Sequence, residues 1–343
     1  VFFIFYDQWM PDFRTFGIIF DGTIAVHIFF VLSGFSLTIN YFSKLEAGAI
    51  DADVTIRRMA VARYPRLAIP SLAACLMMYA VIKSGYNYYF LIPEELKQEW
   101  WRWAYKNSDV SFGETFKFAL YSIFLPSPFI PVVPYNGPYL ITNLWTMSIE
   151  FMGSMLVFIY ALSVRNNKRR LLISIAITVG LSASESYFAH FFAGVVLADV
   201  FLKTRQIALP KWADLTNIAV ITALLASRPG TFYSDVFFCA LLVFAVSLGG
   251  YSRALFGSVP FRYLGSISFA LYLVHMPVIV SVQSYFFLTY RDHFSQAGII
   301  SISGLASVIA SLIAAHLFSY IDHRSTRLSQ QFGRLITGTN PAT

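Results

Sequence analysis

Long apolar runs, each interrupted by only a few ionisable positions, recur along the chain. Such runs predict helices that meet lipid or one another rather than water. Candidate spans cover 16–41, 64–82, 138–163, 171–184, 186–202, 214–228, 234–250, 263–286 and 297–320. A helix needs about 20 residues to cross the hydrocarbon. The 171–184 run is short, so one segment is expected to be tilted, broken or half-inserted. Residues 118–130 are apolar but end in a proline-rich stretch, Pro126 to Pro138. They read as an interfacial or re-entrant segment. Residues 1–6, VFFIFY, are apolar but too short to span, and the chain starts with Val. A clipped first helix is expected there, the alternative being an ordinary interfacial segment. The predicted fold is an all-α, polytopic transmembrane helical bundle with about nine recorded spans of ten. It forms a single domain over 1–343, with a non-cytoplasmic loop at 85–137 and a cytoplasmic tail at 321–343.

Charge fixes an orientation for this pattern. If the first full span runs outside to inside, the inside loops collect most of the 25 basic residues. Lys44, Arg57 and Arg58 fall there, as do Arg165 to Arg170, Arg253, Arg262, Arg324 and Arg327. The short outside loops hold Arg228 and Arg291 beside Glu185, Asp235 and Asp292. Basic residues favour the cytoplasmic side. The net charge of +7 therefore reads as topology rather than as a nucleic-acid surface, because the basic residues lie between apolar spans.

Composition agrees. Apolar residues make up 57% of the chain and charged residues 13%, against roughly 45–50% and about 25% in soluble domains. A lipid-facing surface accommodates that excess. Cys75 and Cys239 both lie inside apolar runs, so no disulfide framework is expected. The six histidines include no His-x-x-x-His pair, and no metal site is predicted. There is no P-loop, dinucleotide fingerprint or nucleic-acid motif, and no recognisable cleavable signal peptide.

Four motifs carry candidate chemistry: FFVLSGF at 29–35, RYPRLAIP at 63–70, LWTMSIE at 144–150 and LGSISFALYLVHMP at 264–277. In this order they resemble the membrane-bound acyltransferase family that includes polysaccharide O-acetyltransferases. The resemblance covers nearly the whole chain. It implies about ten helices, and transfer of an acyl group, usually acetyl, from acyl-coenzyme A to a hydroxyl of a sugar, lipid or small metabolite. Acyl-coenzyme A would be a co-substrate, with no tightly bound cofactor.

The residues themselves support definite but limited readings. Arg63 and Arg66 are three positions apart, on one face of a helix, which is expected to begin near Pro65. Planar guanidiniums suit phosphates. Inside anchoring and snorkelling are the alternative. The resemblance places both in the family's functional arginine motif, implying acyl-donor binding. Glu150 lies within an apolar run, where a carboxylate is costly and turns inward. It would orient an arginine, accept a proton or hold the bundle together. Its placement after Trp145 and Ser148 resembles the family's Trp-Ser-x-x-Glu motif, with a shifted serine. Ser148 is a substrate-binding candidate.

Ser33 and Gly34 interrupt an apolar run, and the glycine permits close helix approach or a break. In the resembled family this motif lines the reaction cavity near the donor, which makes Ser33 a donor-binding and catalytic candidate. No G-x-S-x-G elbow accompanies it. His27 is a base candidate, with Asp21 a possible orienting group and a satisfied core histidine the alternative. The family's general base is a histidine near the end of the first helix. None precedes His27 here, and Asp7 lies in roughly that region. Ser268, Tyr272 and His275 are spaced four and three apart, on one polar face expected to point into protein. Tyr272 is a candidate for acceptor binding, His275 for acceptor binding or packing, and Pro277 for a kink. Tyr320-Ile321-Asp322 resembles a family ending, or anchors at the inner interface.

The predicted function is therefore acyl transfer inside a multi-pass integral membrane protein, with acyl-coenzyme A, a hydroxyl-bearing acceptor and membrane lipid as partners. A loop rich in Trp100, Trp101, Trp103, Tyr86, Tyr88 and Tyr89 would cover the acceptor or anchor at the interface. A small-molecule or acyl-group transporter, or a non-catalytic scaffold derived from an acyltransferase, are the competing readings.

Overall fold

The computed structural model describes residues 22–93, 110–125, 140–204, 211–226 and 231–338. Among the described residues no strand occurs. The principal helices are α1 (Gly22–Glu46), α2 (Ala52–Lys83), α3 (Phe112–Lys117), α4 (Thr146–Ser163), α5 (Arg170–Ala183) and α6 (Phe188–Thr204). They continue as α7 (Lys211–Ala226), α8 (Phe232–Leu248), α9 (Gly250–Phe256), α10 (Val259–Val278), α11 (Ser284–Tyr290) and α12 (Gln296–Ile336).

Among the described residues, five helical segments are long and apolar enough to cross a membrane: Gly22–Glu46, Ala52–Lys83, Thr142–Ser163, Val259–Tyr290 and Gln296–Ile336. A sixth is added if α8 and α9, bent by 94°, count as one span. The described residues thus form a polytopic helical bundle with five or six such spans. Helices α5, α6 and α7 have 14, 17 and 16 residues, short of the roughly 20 a crossing takes. An apolar run reports the solvent a segment tolerates, not how many of its residues become helical.

Two further local expectations change. Helix α2 does not start at Pro65 but runs through both Pro65 and Pro70. Each proline removes one donor, and the apolar run on both sides keeps the remaining backbone bonds. Helix α12 does not end near residue 320, since it continues to Ile336. At Pro277, where a kink is expected, α10 runs to Val278 and passes into a π-helical turn at Ile279–Gln283 and then α11. Widened turns of this kind are one way a helix absorbs irregularity. Residues 118–122 also form a π turn, after α3. The expected proline-rich continuation, the VFFIFY segment, Asp7, Asp21 and the three loop tryptophans lie outside the described residues.

The chain divides into two compact units. The first comprises 1–12, 64–148 and 263–329. In it the short turn Tyr88–Leu91 packs on α11 and the preceding π turn, with the Tyr88 and Tyr285 rings 5.2 Å apart. Tyr89 is buried there, so part of the aromatic loop is core.

The second unit comprises 13–63, 149–262 and 330–343. Its centre is α1 against α6, with α8 packed on both. The contact is close because glycines face backbone. A Cβ on Gly34 would lie 1.9 Å from the Phe191 carbonyl oxygen, and one on Gly194 would lie 2.0 Å from that of Val31. Gly34 therefore serves close approach rather than a break. Basic residues assigned to inside loops find partners here. Lys44 pairs with Asp51 at 2.7 Å, and Arg165 with Asp53. Arg170 pairs with Asp199 and Glu46 at 2.6 and 2.8 Å and sits over the Phe42 ring. Asp214 of α7 accepts from the Gly250 and Tyr251 amides at 2.7 and 3.0 Å, capping α9 at the bend.

Candidate functional site

In the second unit, Ser33, Arg63 and Glu150 meet. Close α1–α6 packing sets Ser33, the neighbour of Gly34, in a buried position. The start of α4 supplies Glu150 and, one turn later, Ser154. Ser33 Oγ donates to Glu150 Oε1 at 2.8 Å. The Arg63 guanidinium donates to the same oxygen, and its Nε donates to Ser154 Oγ at 2.8 Å. Ser154 in turn donates to the Glu150 carbonyl at 2.6 Å. A Cβ on Gly153 would strike the Phe191 ring at 2.8 Å, so the glycine lets α4 sit against α6.

Glu150 is 1% exposed. An unpaired carboxylate at such a depth is prohibitive, and pairing with a hydrogen-bonded guanidinium offsets the cost. The pairing leaves an asymmetry. Oε1 takes both Ser33 and Arg63, while Oε2 is buried with no hydrogen-bond partner. A buried acceptor without a donor is a place where an incoming hydroxyl gains a hydrogen bond.

Arg66 does not join this cluster. In the first unit it pairs with Asp322 of α12, NH1 to Oδ1 at 2.5 Å, and lies over the Phe269 ring at 5.0 Å. The spacing of three that placed both arginines on one face thus serves two separate carboxylates. Asp322, for which the sequence leaves a family ending or an interface anchor open, is buried and paired.

Also in the first unit, the Tyr272 hydroxyl donates to the Asn143 carbonyl and bonds Thr146 Oγ1. This holds α10 to the turn preceding α4. His275 Nδ1 faces the Leu271 carbonyl at 3.1 Å. Ser148 Oγ donates to the Trp145 carbonyl at 3.2 Å, within its own segment. Ser268 is exposed and bonded to the Gly265 carbonyl. The face shared with Tyr272 and His275 therefore does not point wholly into protein, because the serine satisfies itself locally.

His27 is buried near the start of α1, and its Nδ1 contacts Asp235 Oδ2 of α8. His190 of α6 stacks on it with centroids 4.3 Å apart, and His190 Nε2 is 3.4 Å from the same Asp235 oxygen. Sequence reading missed His190 and Asp235. The available signal was that ionisable groups within apolar runs need partners, and these two were left over.

A membrane-length helical bundle holding a carboxylate–arginine–serine network within it is the class of protein defined so far. The sequence profile described as Acyltransferase domain matches residues 1–321, and the chain belongs to that acyltransferase family. It is similar to the O-acetyltransferase PaAT-1 of Phomopsis amygdali, 21% identical over 370 residues, covering 90% of this chain and 74% of the relative. No solved structure is significantly similar to it.

Proposed function

We propose that the protein transfers an acetyl group from acetyl-coenzyme A to a hydroxyl of a carbohydrate, lipid or small metabolite, within the membrane. Family membership supports acyl transfer, and the fungal relative's description as an O-acetyltransferase favours acetyl and a hydroxyl acceptor. The observation that carries the reading is Glu150: its Oε1 is fixed by Ser33 and Arg63, and its buried Oε2 has no hydrogen-bond partner.

In this reading the acceptor hydroxyl docks on Oε2. Its oxygen attacks the thioester carbonyl as the proton passes to the carboxylate. The carbon–sulfur bond breaks, and the proton leaves with coenzyme A as its thiol. Acetyl-coenzyme A is a diffusible co-substrate.

The test is transfer of label from [14C]acetyl-coenzyme A into extractable acceptors in membranes containing the chain, with release of coenzyme A thiol followed in parallel. Labelled product that disappears in Glu150→Gln supports the proposal. Undiminished transfer by folded Glu150→Gln removes Glu150 from the mechanism. No transfer by the unaltered protein favours transport or scaffolding.

A further inference from the structure

The His27–His190–Asp235 cluster takes no part in the mechanism above, yet it concentrates more buried donor chemistry than Glu150 does. Its three side chains offer ligand atoms all within 4.8 Å of one another. They come from the first two turns of α1, α6 and α8, and the residues are 4%, 0% and 7% exposed. The same three helices contribute Ile24, Val31, Ala193 and Val236 to one buried apolar cluster, and the rings of Tyr187 and Phe232 lie against the imidazoles.

The hydrogen-bond inventory explains why this arrangement needs a cation. His190 Nδ1 lies 3.3 Å from the Tyr187 carbonyl oxygen. A carbonyl only accepts, so Nδ1 carries the proton, and Nε2 of a neutral ring presents its lone pair. That lone pair faces Asp235 Oδ2 at 3.4 Å and has no hydrogen-bond partner. Two acceptors opposed in an apolar shell repel each other unless a proton or a metal ion lies among them. The Tyr187 carbonyl that fixes the tautomer is the kind of outer partner metal-ligating histidines use.

We propose that His27, His190 and Asp235 bind a divalent transition-metal cation of the zinc type, with Cys239 as fourth ligand. Cys239 lies one turn beyond Asp235, fully buried, with its sulfur 3.3 Å from Asp235 Oδ1. Charge selects it. A divalent ion with one carboxylate leaves a net positive charge in an apolar interior, and a thiolate cancels that charge. Imidazole and thiolate donors favour zinc over magnesium or calcium, which take oxygen. Four protein ligands make a closed, structural site that ties together the ends of three helices. The inference does not depend on acyl transfer.

The test uses the full chain, purified in detergent without chelator, then loaded with zinc and dialysed. Wild type is expected to retain about one zinc per chain, as a closed site does, and His190→Gln and Asp235→Asn well under half of that. Cobalt(II) substitution gives a second readout. Wild type is expected to show intense visible d–d bands of tetrahedral coordination and a thiolate charge-transfer band. Cys239→Ser should lose the charge-transfer band and keep cobalt bound. Metal retention equal in wild type and folded variants, or no retention and no cobalt spectrum in wild type, overturns the proposal and leaves a proton-bridged His–Asp cluster. A cobalt spectrum in wild type without the charge-transfer band overturns Cys239 as ligand.

Discussion

Gly34 and Phe191 meet backbone to backbone: a Cβ on the glycine would lie 1.9 Å from the Phe191 carbonyl oxygen. The glycine of the FFVLSGF motif is thus a helix-packing device, and the adjacent serine donates to Glu150 of α4. Gly34→Ala should force the helices apart, costing at least the roughly 1–3 kcal/mol typical of overpacking. Thermal unfolding in detergent would read it, and an unchanged midpoint would contradict the close approach.

Glu150→Gln keeps the shape and an oxygen for Ser33 but removes the negative charge opposite Arg63. Acetyl transfer should fall by about 10²-fold or more, the range for lost general acid–base catalysis. The effect is expected in kcat, with KM for acetyl-coenzyme A little changed. Parallel kinetics on protein of verified fold checks this, and a pure KM effect would reassign Glu150 to donor binding.

Asp322 is the more buried half of its pair, with its side chain 7% exposed against 25% for Arg66. Breaking a buried pair from one side leaves an uncompensated charge. Because Arg66 is partly exposed, Asp322→Asn is expected to cost only about 1–3 kcal/mol. A double-mutant cycle with Arg66→Met should show the double variant losing less than the two single losses combined. Additive losses would mean that the pair is not coupled.

The 94° bend between α8 and α9 depends on Asp214 accepting from two consecutive amides. Asp214→Ala should cost about 0.5–2 kcal/mol, as loss of a helix cap does. It should also speed amide hydrogen exchange at Gly250 and Tyr251, at the start of α9, more than within α8. Uniform exchange across the region would argue against a cap.

Hydropathy alone determined that the chain is helical and membrane-spanning, because the solvent a segment tolerates is written in its composition. The ordered motifs marked Ser33, Arg63 and Glu150 as chemically special, since a polar or charged group beside apolar runs stands out wherever the helix lies. Tertiary structure decided the partnerships. Arg63 and Arg66, three positions apart, serve different carboxylates. His27 takes Asp235 from a helix more than two hundred positions away, together with His190, and Gly34 turns out to face another helix's backbone. Helical periodicity gives each residue a direction around its own axis. Which neighbour lies in that direction is set by how the helices pack, and that packing follows from close approaches and buried charges acting between distant segments, which no local pattern encodes.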